Sequence, residues 1–98
     1  MTRDEIITEL RKRADRLKAM GATSLYVFGS RARGDNRPDS DLDLFYDVEH
    51  AKVKSYLDFI GFQLDLEEEL HMPVQMAERE ALYELIRPNA ERDAIRVF

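Results

Sequence analysis

Four residues in the first half of the chain have types and spacing suited to chemistry. Gly29 and Ser30 follow a short apolar run, and Asp41 and Asp43 open a second run after ten intervening residues. Alternate side chains of a β-strand share a face, so the two carboxylates lie together, with Cα atoms about 7 Å apart. They repel unless a cation lies between them, and such oxygen ligands suit Mg²⁺ with substrate phosphates. The pair alone is also compatible with solvated aspartates on an exposed strand.

The Gly29-Ser30 pair has the chemistry of a phosphate-binding turn. Glycine lets a ligand approach the backbone, and a serine that opens a helical turn offers a hydroxyl and backbone N–H groups. A Gly-Ser pair after a strand is, by itself, most often a simple turn. The stretch that follows contains arginines that either offset phosphate charge or pair with nearby aspartates: Arg31, Arg33 and Arg37, with Asp35 and Asp39.

Composition limits what the chain can do. Its 98 residues predict one domain, residues 1–98, and the 44% hydrophobic content is typical of a globular protein. The net charge of −5 argues against binding nucleic acid by bulk attraction to phosphates. The absence of cysteine excludes disulfides and thiol chemistry. The charged N-terminal stretch MTRDEIITELRKRADRL has no signal-peptide core, and no segment approaches the roughly 18 apolar residues of a membrane span, so we expect a cytoplasmic protein.

The elements that must position these residues are two strands behind a leading helix. The helix begins at a capping box of Thr2 and Glu5 and ends at Gly21, with apolar residues at helical spacing: Ile6, Ile7, Leu10, Ala14, Leu17 and Met20. Residues 24–28, SLYVF, are predicted as a strand, and residues 41–47, DLDLFYD, as a second strand. Residues 31–40 between them are predicted as a loop, because they are rich in turn-forming residues.

The second half of the chain is predicted to be mostly helical. Apolar spacing predicts a helix from Ala51 to about Leu70, and residues 74–76 form a short strand after His71-Met72-Pro73. Residues 77–86 are predicted as a helix that Pro88 ends, and residues 89–98 as a last short helix with an apolar tail. This order of elements predicts a small mixed α/β domain.

The combined pattern G-S-x10-D-x-D resembles the signature of the DNA polymerase β-like nucleotidyltransferases. It is carried by YVFGSRARG and SDLDLFYDV, and the compact size resembles the minimal nucleotidyltransferase (MNT) group, whose members are often antitoxin partners of HEPN-domain ribonuclease toxins. The resemblance implies an α+β nucleotidyltransferase fold, with a mixed sheet of three or slightly more strands flanked by about four helices.

The same resemblance implies roles for particular residues. Mg²⁺ is held by Asp41 and Asp43, and the nucleotide triphosphate is bound by four residues of the preceding turn and loop: Gly29, Ser30, Arg31 and Ser40. The implied reaction transfers AMP from ATP to a tyrosine of a partner toxin. No direct contact with nucleic acid or membrane is expected.

One position departs from the family pattern. Active members carry a third carboxylate on a later strand, and the matching position here is Gln75, with Glu78 and Asp65 as candidate substitutes. Glutamine accepts a hydrogen bond but carries no negative charge, so it is a weak metal ligand and no general base. This loss should affect chemistry more than nucleotide binding, because phosphoryl transfer depends mainly on positioning and electrostatics.

Two functions therefore remain open from the sequence. In one, the protein is an enzyme that transfers AMP to a partner protein, which the intact G-S-x10-D-x-D favours. In the other, it is a catalytically degenerate module that neutralises a partner by contact, which Gln75 favours. A third function, modification of a small molecule, is disfavoured because such enzymes usually need a second domain to hold the acceptor.

Overall fold

A four-stranded mixed sheet positions the residues singled out above. The computed structural model describes residues 1–98, and the strands lie in the order β3-β2-β1-β4. The strands are β1 (Ala22–Phe28), β2 (Leu42–Val48), β3 (Val74–Glu78) and β4 (Ile95–Arg96). The helices are α1 (Arg3–Arg11), α2 (Ala14–Ala19), α3 (Ser30–Arg33), α4 (Leu57–Leu70) and α5 (Arg87–Asp93). The predicted small α+β class is confirmed, with one more strand than the sequence located.

The two faces of the sheet are covered differently. Leu25 and Val27 of β1, like Leu42 and Leu44 of β2, face the main core, which α1, α2 and α4 cover. Strand alternation turns the intervening residues to the opposite face. There Phe45 is buried, and its ring stacks on Tyr26 at 4.8 Å between centroids. This second face is the one that carries Asp43.

The predicted leading helix is interrupted. The capping box is confirmed, because the Thr2 hydroxyl accepts from the Glu5 backbone N–H and the Glu5 side chain accepts from Thr2. The helix ends at Arg11, however, and α2 starts at Ala14. The break follows from Arg13, whose backbone N–H donates to Leu10 in a tighter turn and whose guanidinium donates to the Glu9 carbonyl oxygen at 2.6 Å.

The largest error of the sequence prediction lies after β3. The predicted helix over 77–86 is wrong, because the parallel ladder with β2 extends β3 as far as Glu78 and only a 3₁₀ turn, Arg79–Ala81, follows. Pro88 does not end a helix; it lies in the first turn of α5, where its missing N–H costs nothing. The predicted terminal helix over 89–98 is also wrong in part. The helix α5 ends at Asp93, and Ile95–Arg96 form β4, which pairs antiparallel with β1.

The predicted helix from Ala51 begins only at Leu57. A 3₁₀ turn, His50–Lys52, and four further residues precede it, and the helix then runs to Leu70 as expected. It crosses over the sheet and lets β3 pair with β2 in parallel. None of the helices has the length and apolar character needed to cross a membrane.

Candidate active site

Gly29 joins the end of β1 to the start of α3, and two features of this position require glycine. Its φ of 75° lies in the region that other residues rarely adopt. A Cβ atom here would also collide with the carboxylate of Asp43, which lies directly against the backbone. The turn and the carboxylate therefore form one unit, and Ser30 follows as the first residue of α3.

A buried arginine shapes the loop between α3 and β2. Arg31 is only 5% exposed, and its guanidinium donates to the Ser40 carbonyl oxygen at 2.9 and 3.1 Å and to that of Pro38 at 3.4 Å. The Ser40 hydroxyl in turn accepts from the backbone N–H of Arg37 at 2.8 Å. Arg31 and Ser40 thus hold the loop that leads to the two aspartates, and their contact with a nucleotide remains a prediction.

The two aspartates differ in their surroundings. Asp41 is exposed just before β2, while Asp43 is half-buried one residue into the strand. Burial raises the pKa of the Asp43 carboxyl, the charge of Asp41 raises this pKa further, and the cation of Arg33 lowers it in part. A desolvated carboxylate beside a second one suits a divalent cation, so the residues present fit the Mg²⁺ site that the sequence predicts.

The sheet register shows which side of the sheet Gln75 faces. Asp43 of β2 is the partner of Gln75 in the parallel pair, so the two side chains share a face. Val74 is buried in the core on the other face, and Met76 packs against it. No carboxylate therefore lies at this place on β3.

Neither candidate substitute supplies the missing charge. Glu78 lies three positions further along β3, beside Tyr46, and its carboxylate is 3.3 Å from Nε2 of His50. Asp65 lies on α4 and pairs with Arg16 at 2.8 Å. Neither residue lines the cleft that contains Asp43 and Gln75.

The cleft has two lobes on either side of Phe28 and Ile86. The first lobe, about 240 Å³, lies over the turn and is lined by Phe28, Gly29, Arg33, Ile86, Asn89 and Asp93. The second lobe, about 360 Å³, contains Asp43 and Gln75 beside apolar residues that include Phe28, Ala77, Leu82 and Ile86. The sequence did not reveal the contributions of Leu82 and Ile86, because that segment was assigned to a helix. The apolar residues beside Pro88 were the only available signal.

Arg33 connects the first lobe to the C-terminal helix. Its guanidinium donates to Asp35 at 3.1 Å and to Asp93 of α5 at 3.4 Å. The sequence left open whether the arginines pair with neighbouring aspartates, and for Arg33 the structure shows that pairing. Its charge still reaches Asp43, whose pKa it lowers.

A family model for the nucleotidyltransferase domain matches residues 5–97. The chain belongs to this nucleotidyltransferase domain family. It is 30% identical over 78 residues to a candidate protein adenylyltransferase from Methanocaldococcus jannaschii, a match that covers 80% of this chain and 82% of that relative.

Solved structures place this nucleotidyltransferase domain in the minimal group. A candidate minimal nucleotidyltransferase is 32% identical and superposes with a TM-score of 0.79, covering 97% of this chain and 95% of that one. A toxin–antitoxin structure with AMP-PNP has a TM-score of 0.70 at 16% identity, covering 100% and 73% of the two chains. A tri-AMPylated Shewanella oneidensis HEPN toxin with its MNT antitoxin has a TM-score of 0.63 at 12% identity, covering 94% and 71%. At such identities the last two show the fold alone.

Proposed function

We propose that this nucleotidyltransferase domain transfers AMP from Mg-ATP to a hydroxyl, most suitably a tyrosine, of a HEPN-type partner protein and thereby neutralises it. The observation that carries the proposal is the contact between the Gly29 turn and the Asp43 carboxylate. A turn suited to phosphate oxygens thus lies directly against a carboxylate that suits Mg²⁺, which supports the proposal. The function of the candidate adenylyltransferase relative and the toxin complexes among the structural neighbours agree with it.

The chain's own residues have distinct roles in this proposal. Asp41 and Asp43 would hold Mg²⁺, which would supply positive charge to the triphosphate. The Gly29 turn and Ser30 would bind phosphate oxygens, and Arg33 would offset the charge that remains. The acceptor hydroxyl attacks the α-phosphorus, pyrophosphate leaves, and the hydroxyl proton passes to solvent because Gln75 cannot take it.

The second lobe is suited to the acceptor side chain. It lies beside Asp43 and is mostly apolar, so an aromatic ring would be desolvated there while its hydroxyl points toward the carboxylate. The neighbouring segment is exposed and apolar, with Tyr83 81% and Leu85 91% exposed. Such a surface fits a protein that brings its own docking face.

One observation favours a second candidate function. Gln75 stands beside Asp43 where the family pattern implies a carboxylate. A domain that binds Mg-ATP without a third charge would serve as a binding module that neutralises its partner by contact. The two candidates differ in whether the partner gains the mass of AMP.

The metal site is tested by replacing both aspartates. We expect Asp41→Asn/Asp43→Asn to lose most ATP affinity and its dependence on Mg²⁺, because no paired carboxylates remain to hold the cation. Calorimetric titration of ATP with and without Mg²⁺ measures this. Asp39→Asn, in the exposed loop and without an ion pair, is the control. Equal ATP affinity in the wild type and the Asp41/Asp43 variant, with Mg²⁺ present, would contradict the proposed site.

A further inference from the structure

Helix α4 is apolar on two opposite faces. Its inner face is buried in the core through Phe59, Phe62, Leu66 and Leu70. Its outer face exposes Leu57 by 72%, Ile60 by 53% and Leu64 by 59%. A helix that is apolar on both sides is normally covered on both sides. The outer face therefore lacks a partner in the isolated chain.

Gly61 lies within this outer stripe and has no role in the fold. It has ordinary helical geometry, and a Cβ atom added there would meet nothing within 4 Å. Glycine inside a helix is unfavourable, so the fold alone gives no reason for it. On the outer face, next to Ile60 and Leu64, a residue without a side chain leaves room for another surface to approach the backbone closely.

Two residues of opposite charge, one at each end of α4, have no ion-pair partner within the chain. Lys54 is exposed three residues before the helix begins, and Glu68 is exposed near its end; neither takes part in an ion pair within the chain. The helix itself carries five acidic residues and no basic one: Asp58, Asp65, Glu67, Glu68 and Glu69. A covering surface that brings a carboxylate to Lys54 and a cation to Glu68 would therefore match both unpaired charges.

We propose that a second copy of this chain covers the outer face, with the two α4 helices packed antiparallel about a two-fold axis near Gly61. In this arrangement Leu57 of each copy meets Leu64 of the other, and Ile60 packs over Gly61 of the other. The same symmetry brings Lys54 of each copy beside Glu68 of the other. One surface thus supplies both halves of each contact, as a two-fold interface requires.

The pattern distinguishes a second copy from an unrelated protein. An unrelated helix must match the apolar spacing, the gap at Gly61 and both end charges, whereas the antiparallel copy matches all three by symmetry. The acidic middle of the helix does not prevent this pairing, because Asp65 and Glu69 already pair with Arg16 and Arg13 of their own chain.

The dimer leaves both candidate active sites open. The inner face of α4 packs on the core side of the sheet, whereas Asp43 and Gln75 face the other side. The helix has 14 residues and is about 21 Å long, so the interface is at the small end for a stable dimer, below about 1,200 Å² in total. We therefore expect a weak dimer that dissociates on dilution.

The first test measures mass against concentration. Sedimentation equilibrium should show the wild type approaching twice its monomer mass of 11.5 kDa as concentration rises. Leu64→Glu should remain monomeric over the same range. Leu85→Glu is the matched control, since it places the same charge at another exposed leucine, away from α4, and should dimerise like the wild type. Circular dichroism confirms that both variants are folded.

The second test locates the two-fold axis by disulfide crosslinking. The chain has no native cysteine, so any disulfide must come from the introduced residue. Gly61→Cys should form an intermolecular disulfide under mild oxidation, whereas Leu85→Cys at the same concentration should not. Lys54→Glu should weaken the dimer about tenfold, and Lys54→Glu/Glu68→Lys should restore it.

A wild type that stays monomeric at millimolar concentration overturns the proposal. So does a Leu64→Glu variant that dimerises as well as Leu85→Glu, or equal crosslinking at positions 61 and 85. These measurements use neither nucleotide nor partner protein, so their outcome is independent of the proposed AMP transfer.

Discussion

At the scale of single residues, Asp43 combines a close contact with the backbone and a perturbed carboxyl group. Its carboxylate lies against the Gly29 backbone, its pKa is raised by burial and by Asp41, and Gln75 is its neighbour across the sheet. The sequence predicted the shared face of the aspartates and of Gln75 because strand alternation fixes both. It could not predict the contact with Gly29, which depends on the turn after β1.

The raised pKa of Asp43 predicts how stability depends on pH. The folded state holds this proton more tightly than the unfolded state, so stability falls as pH rises from the unfolded pKa of about 3.8 through the folded one. Asp43→Asn removes this cost, so its Tm should exceed that of the wild type at neutral pH.

Thermal unfolding from about pH 4 to 7 measures the effect, with Asp39→Asn in the exposed loop as control. The difference in Tm between Asp43→Asn and the wild type should grow across this range. Adding Mg²⁺ should raise the Tm of the wild type and narrow the difference. If the difference in Tm between the two proteins did not change with pH, the raised pKa of Asp43 would not be its cause.

Gln75 predicts a slow enzyme. Apart from Asp43, which would hold Mg²⁺, no carboxylate lines the second lobe to take the acceptor's proton. General-base assistance typically contributes about 10²–10⁴-fold. Gln75→Asp should recover part of that factor with little change in ATP affinity. The measurement is the rate at which the partner protein gains the mass of AMP.

Gln75→Glu adds a carboxylate on a longer side chain and shows whether the length of the acid matters. Gln75→Asn shortens the side chain without adding charge and is the neutral control. A wild type that is already fast, and that Gln75→Asp does not improve, would show that the missing charge is unimportant. No transfer by any of the variants, together with full neutralisation of the partner, would favour the contact-only module.

At the scale of elements, the loop between α3 and β2 is held by a side chain rather than by its own backbone. Arg31 is buried and supplies hydrogen bonds to the carbonyls of Pro38 and Ser40. Arg31→Ala leaves these acceptors unpaired, at a cost of about 1–3 kcal/mol. We expect a Tm lower by about 5–15 °C and faster amide hydrogen exchange over residues 37–41.

Arg37→Ala provides the comparison for Arg31. Its side chain is exposed and only its backbone takes part in the loop, so the variant should unfold within a degree or two of the wild type. If the two variants lost equal stability, the buried guanidinium would not be what holds the loop.

The elements also show where sequence patterns stop being informative. The two strands with alternating or apolar residues and the capping box were predicted closely, because each depends on local chemistry. The segment after β3 was assigned to a helix on apolar spacing alone. Pairing with β2 determined its first residues instead, and nothing local to the segment signals that partner.

At the scale of the whole molecule, the sheet separates two surfaces with different roles. The core side carries α4 and its exposed stripe, and the other side carries the cleft and the apolar segment around Leu85. The family resemblance anticipated a mixed sheet of about this size. It did not anticipate β4, since a two-residue strand gives almost no signal until its neighbour β1 is known.

The parallel pairing of β2 with β3 also sets the order in which the site is completed as the chain folds. β1 and β2 are joined by residues 29–41, and closing this short loop brings Gly29 against Asp43 early. β3 must wait until residues 49–73 have crossed over, and contacts between distant parts of a chain form slowly. We therefore expect folding to bring the glycine turn and the aspartates together before it adds Gln75. A chain halted between these steps would already hold the groups for a metal–triphosphate while lacking one wall of the acceptor lobe.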